Sequence, residues 1–392
     1  MAANIIKQLL IGLFLLLWTF PFVKSYYFSS GVRWRYIFIF SLVTAYFITP
    51  FCRLVALRLR VLDRPDWRKV HNLPTPLLGG LGIYVAFTLS LLLNGVFLPG
   101  MKILLLGSTL IFSMGLWDDI RPLPALLKFI IQTLIALLVI VWGDIQLTFF
   151  FHASWAPFIN IPLTVLWIVG LTNAMNFFDG IDGLATGMSI IVALFLGIIA
   201  FKTQQPALGW FAVAMIGACV GFMPYNFRFR KSALLFLGDA GSTFLGFTLA
   251  GLAVLGKWSN TSHFVSLMAP VLIFGVLIFD MIYINLSRLK NRQAGNFIEL
   301  LTCVNQDHLH HRLLFMGFGR KEAMIIISIL STSLGVSAII IMDQKLMEGL
   351  LGLFQAILIL GLIVALMLKG REKIPKEGDR RVLRRRREDR EN

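Results

Sequence analysis

Apolar residues run along this chain in long blocks, and the polar residues collect at the seams between them. A helix of about 20 apolar residues is long enough to cross a hydrocarbon layer about 30 Å thick. Blocks of that kind lie at 5–23, 35–56, 78–98, 102–117, 124–142, 161–178, 184–202, 207–223, 233–255, 264–287, 323–342 and 347–368. The pattern predicts an all-α protein, a polytopic transmembrane helical bundle of about 11–12 spans. The connections are short, there is no internal repeat, and no soluble domain interrupts the blocks.

Composition agrees. The chain has 392 residues, of which 57% are hydrophobic and 14% charged. A soluble protein lies nearer half apolar and a quarter charged. The formal charge of +16 could suggest nucleic acid, but Lys and Arg accumulate at the cytoplasmic edges of membrane proteins, and that reading excludes a nucleic-acid partner here. Cys52, Cys219 and Cys303 are too few and too scattered for a disulfide framework or a zinc site. The first block could be a secretory signal, but "KSYYFSS" after it offers no small-residue cleavage site, so it is read as an uncleaved span.

The expected organisation is an extra N-terminal span and outer loop at 1–34, a membrane core at 35–342, an additional C-terminal span at 343–368 and a basic disordered tail at 369–392. With that count, the loops at 57–77, 118–123, 179–183, 224–232 and 288–322 share one face. They hold "RLRVLDRPDWRKVHN", "RFRK", "SRLKNRQ" and "HHRLLFMGFGRK". The opposite face is poor in basic residues, with Lys24, Arg33 and Arg35 a partial exception. The bias orients the rich face and the tail to the cytoplasm, where Arg384 to Arg387 would meet anionic lipid headgroups.

The acids gather on that same face. Asp118 and Asp119 end one block, Asn173, Asn176, Asp179 and Asp182 end another, and Asp239 opens a third. His308, His310 and His311 lie in the long loop. Each feature has a bland reading: a solvated helix end for the acid pair, a solvated basic patch for the histidines. Four polar clusters on one face instead read as one assembled site. Mg²⁺ takes oxygen ligands, commonly one or two carboxylates completed by water and substrate phosphates, and adjacent glycines let backbone N–H groups approach phosphate. The three-residue spacing of Asn173, Asn176 and Asp179 puts them near one helical face, and Asp-Gly at 179–180 and 182–183 predicts that the helix breaks there. Asp280 reads as structural, paired with a nearby Arg such as Arg288.

As a set, "WDDIRPLP", "LLKFIIQ", "NAMNFFDGIDGLATG", "FLGDAGSTFLG" and "DHLHHRLL" resemble the polyprenyl-phosphate N-acetylhexosamine-1-phosphate transferases, in the family order. The early "RPDWRKVHNLPTPLLGGLGIY" looks like the family's first loop. The resemblance covers about 35–342 and implies a bundle in the bacterial inner (plasma) membrane with a cytoplasmic active-site cleft and a groove for lipid. It implies transfer of N-acetylhexosamine-1-phosphate, most simply GlcNAc-1-phosphate, from a UDP-N-acetylhexosamine to undecaprenyl phosphate, with UMP released and Mg²⁺ (or Mn²⁺) required. Such a reaction opens the synthesis of a cell-envelope polysaccharide, and family members are commonly homodimers.

The same resemblance assigns roles. Asp118, Asp119, Asp179 and His308 become candidates for catalysis, with either Asp118 or Asp119 as the acid that deprotonates or orients the lipid phosphate. Asp239, with Asn176, matches the metal position. Lys128, Asn173, Asn176, Asp182, His310, His311 and Arg312 match substrate-binding positions, and Lys69 is a further candidate for enclosing the nucleotide. The His-Leu-His-His-Arg pattern looks like the branch that uses simple UDP-HexNAc, so phospho-MurNAc-pentapeptide translocase activity is the alternative. "NFIELLTCVNQ" makes the loop before Asp307 longer than usual. An ion-coupled transporter is the competing reading of another class; it calls for acids near mid-bilayer and often an internal repeat.

Overall fold

The computed structural model describes residues 2–63, 74–95, 97–148, 155–228, 231–259, 263–291, 307–342 and 346–372. Lys69, Cys303 and most of the expected basic tail lie outside the described residues. The elements are α1 (Ala2–Trp18), α2 (Pro21–Ser29), α3 (Arg33–Leu59), β1 (Leu62–Asp63), β2 (Thr75–Pro76), α4 (Gly79–Asn94), α5 (Pro99–Ile120), α6 (Ala125–Gly143), α7 (Ala156–Phe178) and α8 (Leu184–Lys202). There follow α9 (Pro206–Asn226), α10 (Gly238–Leu255), α11 (His263–Ile273), α12 (Gly275–Lys290), α13 (Leu309–Phe315), α14 (Arg320–Met342) and α15 (Leu346–Glu372). Among the described residues nine helices are long and apolar enough to cross a membrane, or up to 11 if each of two bent pairs is one span, and α4 is a shorter apolar helix. The protein is a multi-pass helical membrane protein.

Two expected spans are not straight. The block at 5–23 divides into α1 and α2, which meet at 61°, and the block at 264–287 divides into α11 and α12, which meet at 76°. A proline lies at or one turn before each break. Pro21 is the first residue of α2, where it starts a new helix well. Pro270 lies inside α11, where it lacks the N–H that would continue the ladder, and Gly275 follows at the break. At the other end of the chain, α15 runs to Glu372, past the residue 368 at which the last span was expected to stop.

α10 is the centre of the bundle. Every residue from Ala240 to Val254 is buried, which fits a helix that is apolar or small on all sides. Small residues permit the approach: a Cβ on Gly80 of α4 would lie 2.3 Å from the Cα of Gly241 on α10, the close crossing that small residues allow in membranes. Two of the exceptional basic residues, Lys24 and Arg33, also have a structural use. Lys24 donates to the Leu93 carbonyl at 2.6 Å and Arg33 to the Asn94 carbonyl, at the end of α4. Cations there satisfy terminal carbonyls and oppose the negative end of the helix dipole.

At the other end of the bundle the loops are tied together. The antiparallel β1–β2 pair closes the first loop, with Leu62 opposite Pro76. Phe236 N–H donates to Pro76 O, and Gly79 and Gly80 donate to Phe236 O and Leu237 O, at 2.8–2.9 Å. These bonds join the start of α4 to the segment that leads into α10.

Candidate active site

Three helix ends bring the predicted acids to one place. α5 finishes with Asp118 and Asp119, α7 stops at Phe178 just before Asp179, and α10 begins with Gly238 and Asp239. The break at "DGIDG" falls where the glycines predict it, with Gly183 at φ +80° before α8. Asn226 holds this turn: its Oδ1 accepts Gly183 N–H at 3.0 Å and its Nδ2 donates to Leu235 O at 3.2 Å. Asp182 Oδ2 accepts Ala233 N–H at 3.0 Å, so its carboxylate fastens the turn to the loop before α10.

The two adjacent acids of α5 have different jobs. Asp119 accepts the N–H groups of Asp239 at 2.8 Å and Ala240 at 3.1 Å, one on each oxygen. It caps the first turn of α10 from another helix, satisfying donors that a helix start leaves open. Gly238 is required beside it: its φ is +78°, and a Cβ there would sit 2.6 Å from Asp119 Oδ2. Asp118 accepts Leu123 N–H at 2.7 Å and forms an ion pair with Lys128 at 2.7 Å. Lys128, one turn into α6, also reaches Asp239 at 3.3 Å. The Asp239 side chain is 39% exposed and that of Asp118 5%, so Asp239 is the acid that opens outward.

The asparagines of α7 line the same side. Asn176 Nδ2 donates to Asp239 Oδ1 at 3.1 Å and to Ser242 Oγ at 2.9 Å. Asn173, one turn deeper, donates to Gln132 Oε1 on α6 at 2.6 Å. Asp179 is half-buried. Burial, then the carboxylates of Asp239 and Asp119, hold its carboxyl well above the usual carboxylate range.

The histidines join the cluster from the far end of the chain. Phe177 stacks on His308 at 5.1 Å and Phe178 meets His310 edge-on at 6.0 Å. His310 is fully buried against Gly180, where a Cβ would lie 2.3 Å from its Nε2. Neither of its ring nitrogens has a partner among the described residues. Burial and the neighbouring His311 and His308 push its pKa well below the usual value, and burial lowers His311 to about 4. Arg312 faces elsewhere. Its donors go to Asp307 O and to Met367 O of α15, and its guanidinium lies 5.0 Å from the Tyr283 ring.

Asp280 does not pair with Arg288. Its Oδ2 lies 2.7 Å from His308 Nδ1 and its Oδ1 accepts Leu309 N–H at 2.8 Å. Arg288 instead forms a two-pronged pair with Asp307, both bonds at 2.9 Å. Two residues eight positions apart on a helix are about 12 Å apart along its axis, which separates Asp280 from Arg288. Asp280, Gln132, Ser242 and Asp63, whose charge also acts on Asp179, are site neighbours to which the sequence motifs assigned no part in the site. Their signal was available: Gln132 lies one turn from Lys128, Ser242 three residues from Asp239, and Asp280 is an acid within an apolar block.

The donor set suits a hard cation. Asp239 and the free amide oxygen of Asn176 offer oxygen ligands, and no group of three or more His, Cys, Asp or Glu is placed to enclose a metal among the described residues. Mg²⁺ held by one or two carboxylates and completed by water and substrate phosphate needs no larger protein donor set.

Residues 101–257, which carry the acids of α5, α7 and α10, match the family model described as glycosyl transferase family 4. A Bacillus subtilis (strain 168) protein named "Probable undecaprenyl-phosphate N-acetylglucosaminyl 1-phosphate transferase" is 32% identical over 335 residues, covering 83% of this chain and 90% of that protein. The decaprenyl-phosphate N-acetylglucosaminephosphotransferase of Mycolicibacterium smegmatis is 28% identical, covering 87% of this chain and 91% of its own. The undecaprenyl-phosphate alpha-N-acetylglucosaminyl 1-phosphate transferase of Escherichia coli (strain K12) is 27% identical, covering 74% and 79%. With an identity of 32% over 90% of a relative's length, and the family model matching residues 101–257, the chain belongs to glycosyl transferase family 4.

Proposed function

We propose that this protein transfers N-acetylglucosamine-1-phosphate from UDP-N-acetylglucosamine to a polyprenyl phosphate, undecaprenyl phosphate being the first candidate. An oxygen of the lipid phosphate bonds to the β-phosphorus, the bond from that phosphorus to the bridging oxygen breaks, and UMP leaves with the electron pair. The lipid diphosphate sugar remains. The observation that carries this reading is Lys128 held between Asp118 and Asp239 at 2.7 and 3.3 Å, at the end of the bundle where three helices terminate.

Phosphoryl transfer needs positioning and charge neutralisation more than covalent chemistry. The Lys128 ammonium is a counter-ion for an arriving phosphate. As it turns to that phosphate, Asp118 Oδ2 is released to accept the proton of the lipid phosphate. Asp119 is committed to the α10 backbone, so of the adjacent pair we assign the base to Asp118. Asp239 and Asn176 would hold Mg²⁺. When bound there, it supplies positive charge to the diphosphate as negative charge shifts to UMP. His308 and His310 would meet the diphosphate, and Asn173 supports Asn176 through the α7 face. We place Asp182 as the fastener of the turn and Arg312 as an anchor of the histidine helix.

The site belongs on the cytoplasmic face, where the nucleotide sugar is and to which the basic bias of the sequence assigns this end of the bundle. Asp118, Asp119, Asp179 and Asp239 lie at helix ends, and Asp280, inside α12, is bonded to His308, which speaks against an ion path across the membrane. UMP release by purified protein, with undecaprenyl phosphate and Mg²⁺, tests the reading with UDP-GlcNAc, UDP-GalNAc and UDP-MurNAc-pentapeptide. Release from UDP-GlcNAc that needs both lipid and metal is expected. Release from UDP-MurNAc-pentapeptide alone would move the protein to the translocase branch.

A further inference from the structure

We infer that Asp280 is a positioning residue for the transfer reaction, acting through His308. The inference rests on the proposed function and adds to it a residue outside the segment matched by the family model.

The geometry is that of a carboxylate orienting an imidazole. Asp280 is fully buried on α12, its Oδ2 is 2.7 Å from His308 Nδ1, and its Oδ1 accepts the Leu309 N–H at 2.8 Å. With the Asp280 carboxylate accepting on both oxygens, the hydrogen between it and His308 sits on Nδ1. That fixes the tautomer and leaves Nε2 for another partner. Among the described residues Nε2 of His308 has no hydrogen-bond partner. The ring plane is fixed as well, by Phe177 on one side at 5.1 Å and the parallel His310 ring at 6.0 Å.

A lone buried acid gripping a histidine has a bland role, holding the fold. Two features go against that here. The anchoring of this loop is already provided beside it by the Arg288–Asp307 pair and by Arg312 on Met367 O. Asp280 also bonds the histidine that lies against Phe177, two residues before Asp179. An orienting acid behind a working imidazole is the arrangement by which enzymes present one chosen nitrogen to a reacting group. In this protein that nitrogen, Nε2, is presented to the diphosphate.

The test is steady-state UMP release in detergent by wild-type protein and by Asp280→Asn, Asp280→Glu, His308→Gln and the Asp280→Asn/His308→Gln double variant. Thermal unfolding of each is followed in parallel. Asp280→Asn offers Nδ1 an amide donor in place of an acceptor and favours the wrong tautomer. It is expected to lower kcat about ten- to a hundredfold, the range for loss of an orienting partner, with KM for the UDP-sugar within about threefold. Asp280→Glu is expected to recover part of that loss. In the His308→Gln background Asp280→Asn is expected to cost less than about threefold, because the two residues act as one unit.

Equal additional loss in that background would overturn the inference, as would wild-type kcat in Asp280→Asn. Failure of both Asp280 variants to fold would make the residue structural and overturn it too. Absence of UMP release by the wild-type protein would instead overturn the proposed function, so the two failures are distinguishable.

Discussion

The carboxylate of Asp119 caps the helix that carries Asp239: its Oδ1 accepts the Asp239 N–H at 2.8 Å while the next N–H binds its other oxygen. The metal-holding candidate is thus aimed by an acid on another helix. Asp119→Ala leaves two donors of the first turn of α10 unpaired, at a cost of about 1–3 kcal/mol for each buried one. A lower unfolding temperature and lost activity are expected together. Asp118→Asn should keep the fold and lower kcat about 10²- to 10⁴-fold, the range for a general base. Thermal unfolding and UMP release on both variants check the division of labour.

Asp239→Asn keeps the shape of the side chain and removes its charge. Activity is expected to fall by at least about a hundredfold, and the Mg²⁺ concentration for half-activation to rise. A metal titration of the residual rate reads this directly; an unchanged midpoint would remove Asp239 from the metal site.

Gly180 leaves space for His310. A Cβ at that position would lie 2.3 Å from Nε2, so Gly180→Ala must displace the ring or the turn. The expected result is a rise of about tenfold in KM for the UDP-sugar, equivalent to about 1.4 kcal/mol, read from steady-state kinetics.

The buried histidines set a direction for stability against pH. His311 has a folded pKa of about 4, below its ordinary 6.5, and His310 is also lowered. Between those values the unfolded histidines bind more protons than the folded ones, so their contribution to stability falls as pH drops from 6.5 to about 4. The raised carboxyl of Asp179 acts in the opposite direction, so the histidine part is read as a difference: across that window the unfolding temperature of the wild-type protein is expected to fall relative to that of His311→Gln.

Most of the bundle was legible because a hydrophobic block long enough to span has few other uses. The bends were not, since Pro21 and Pro270 mark breaks without giving angles. The polar clusters were legible as one site, because acids at membrane edges need a common explanation. Their individual roles were hidden for a geometric reason. Asp118 and Asp119 are neighbours in sequence, yet successive helical residues point about 100° apart, so one meets Lys128 and the other the α10 backbone. Asp280 was misassigned because the expected partner came from its own helix, while the real one, His308, follows 28 residues later from a separate loop.

Arg312 bonds the Met367 carbonyl and is itself buried. Burial lowers the pKa of its guanidinium, a sign of how unwelcome an uncompensated charge is there. Because the chain is made from its N-terminus, the acids of α5, α7 and α10 exist long before residue 367 does. The last span is therefore the keystone of an assembly sequence: only when it enters the bilayer does the histidine helix gain its final tether, and a chain truncated ahead of it would carry every acid of the site around an unseated set of histidines.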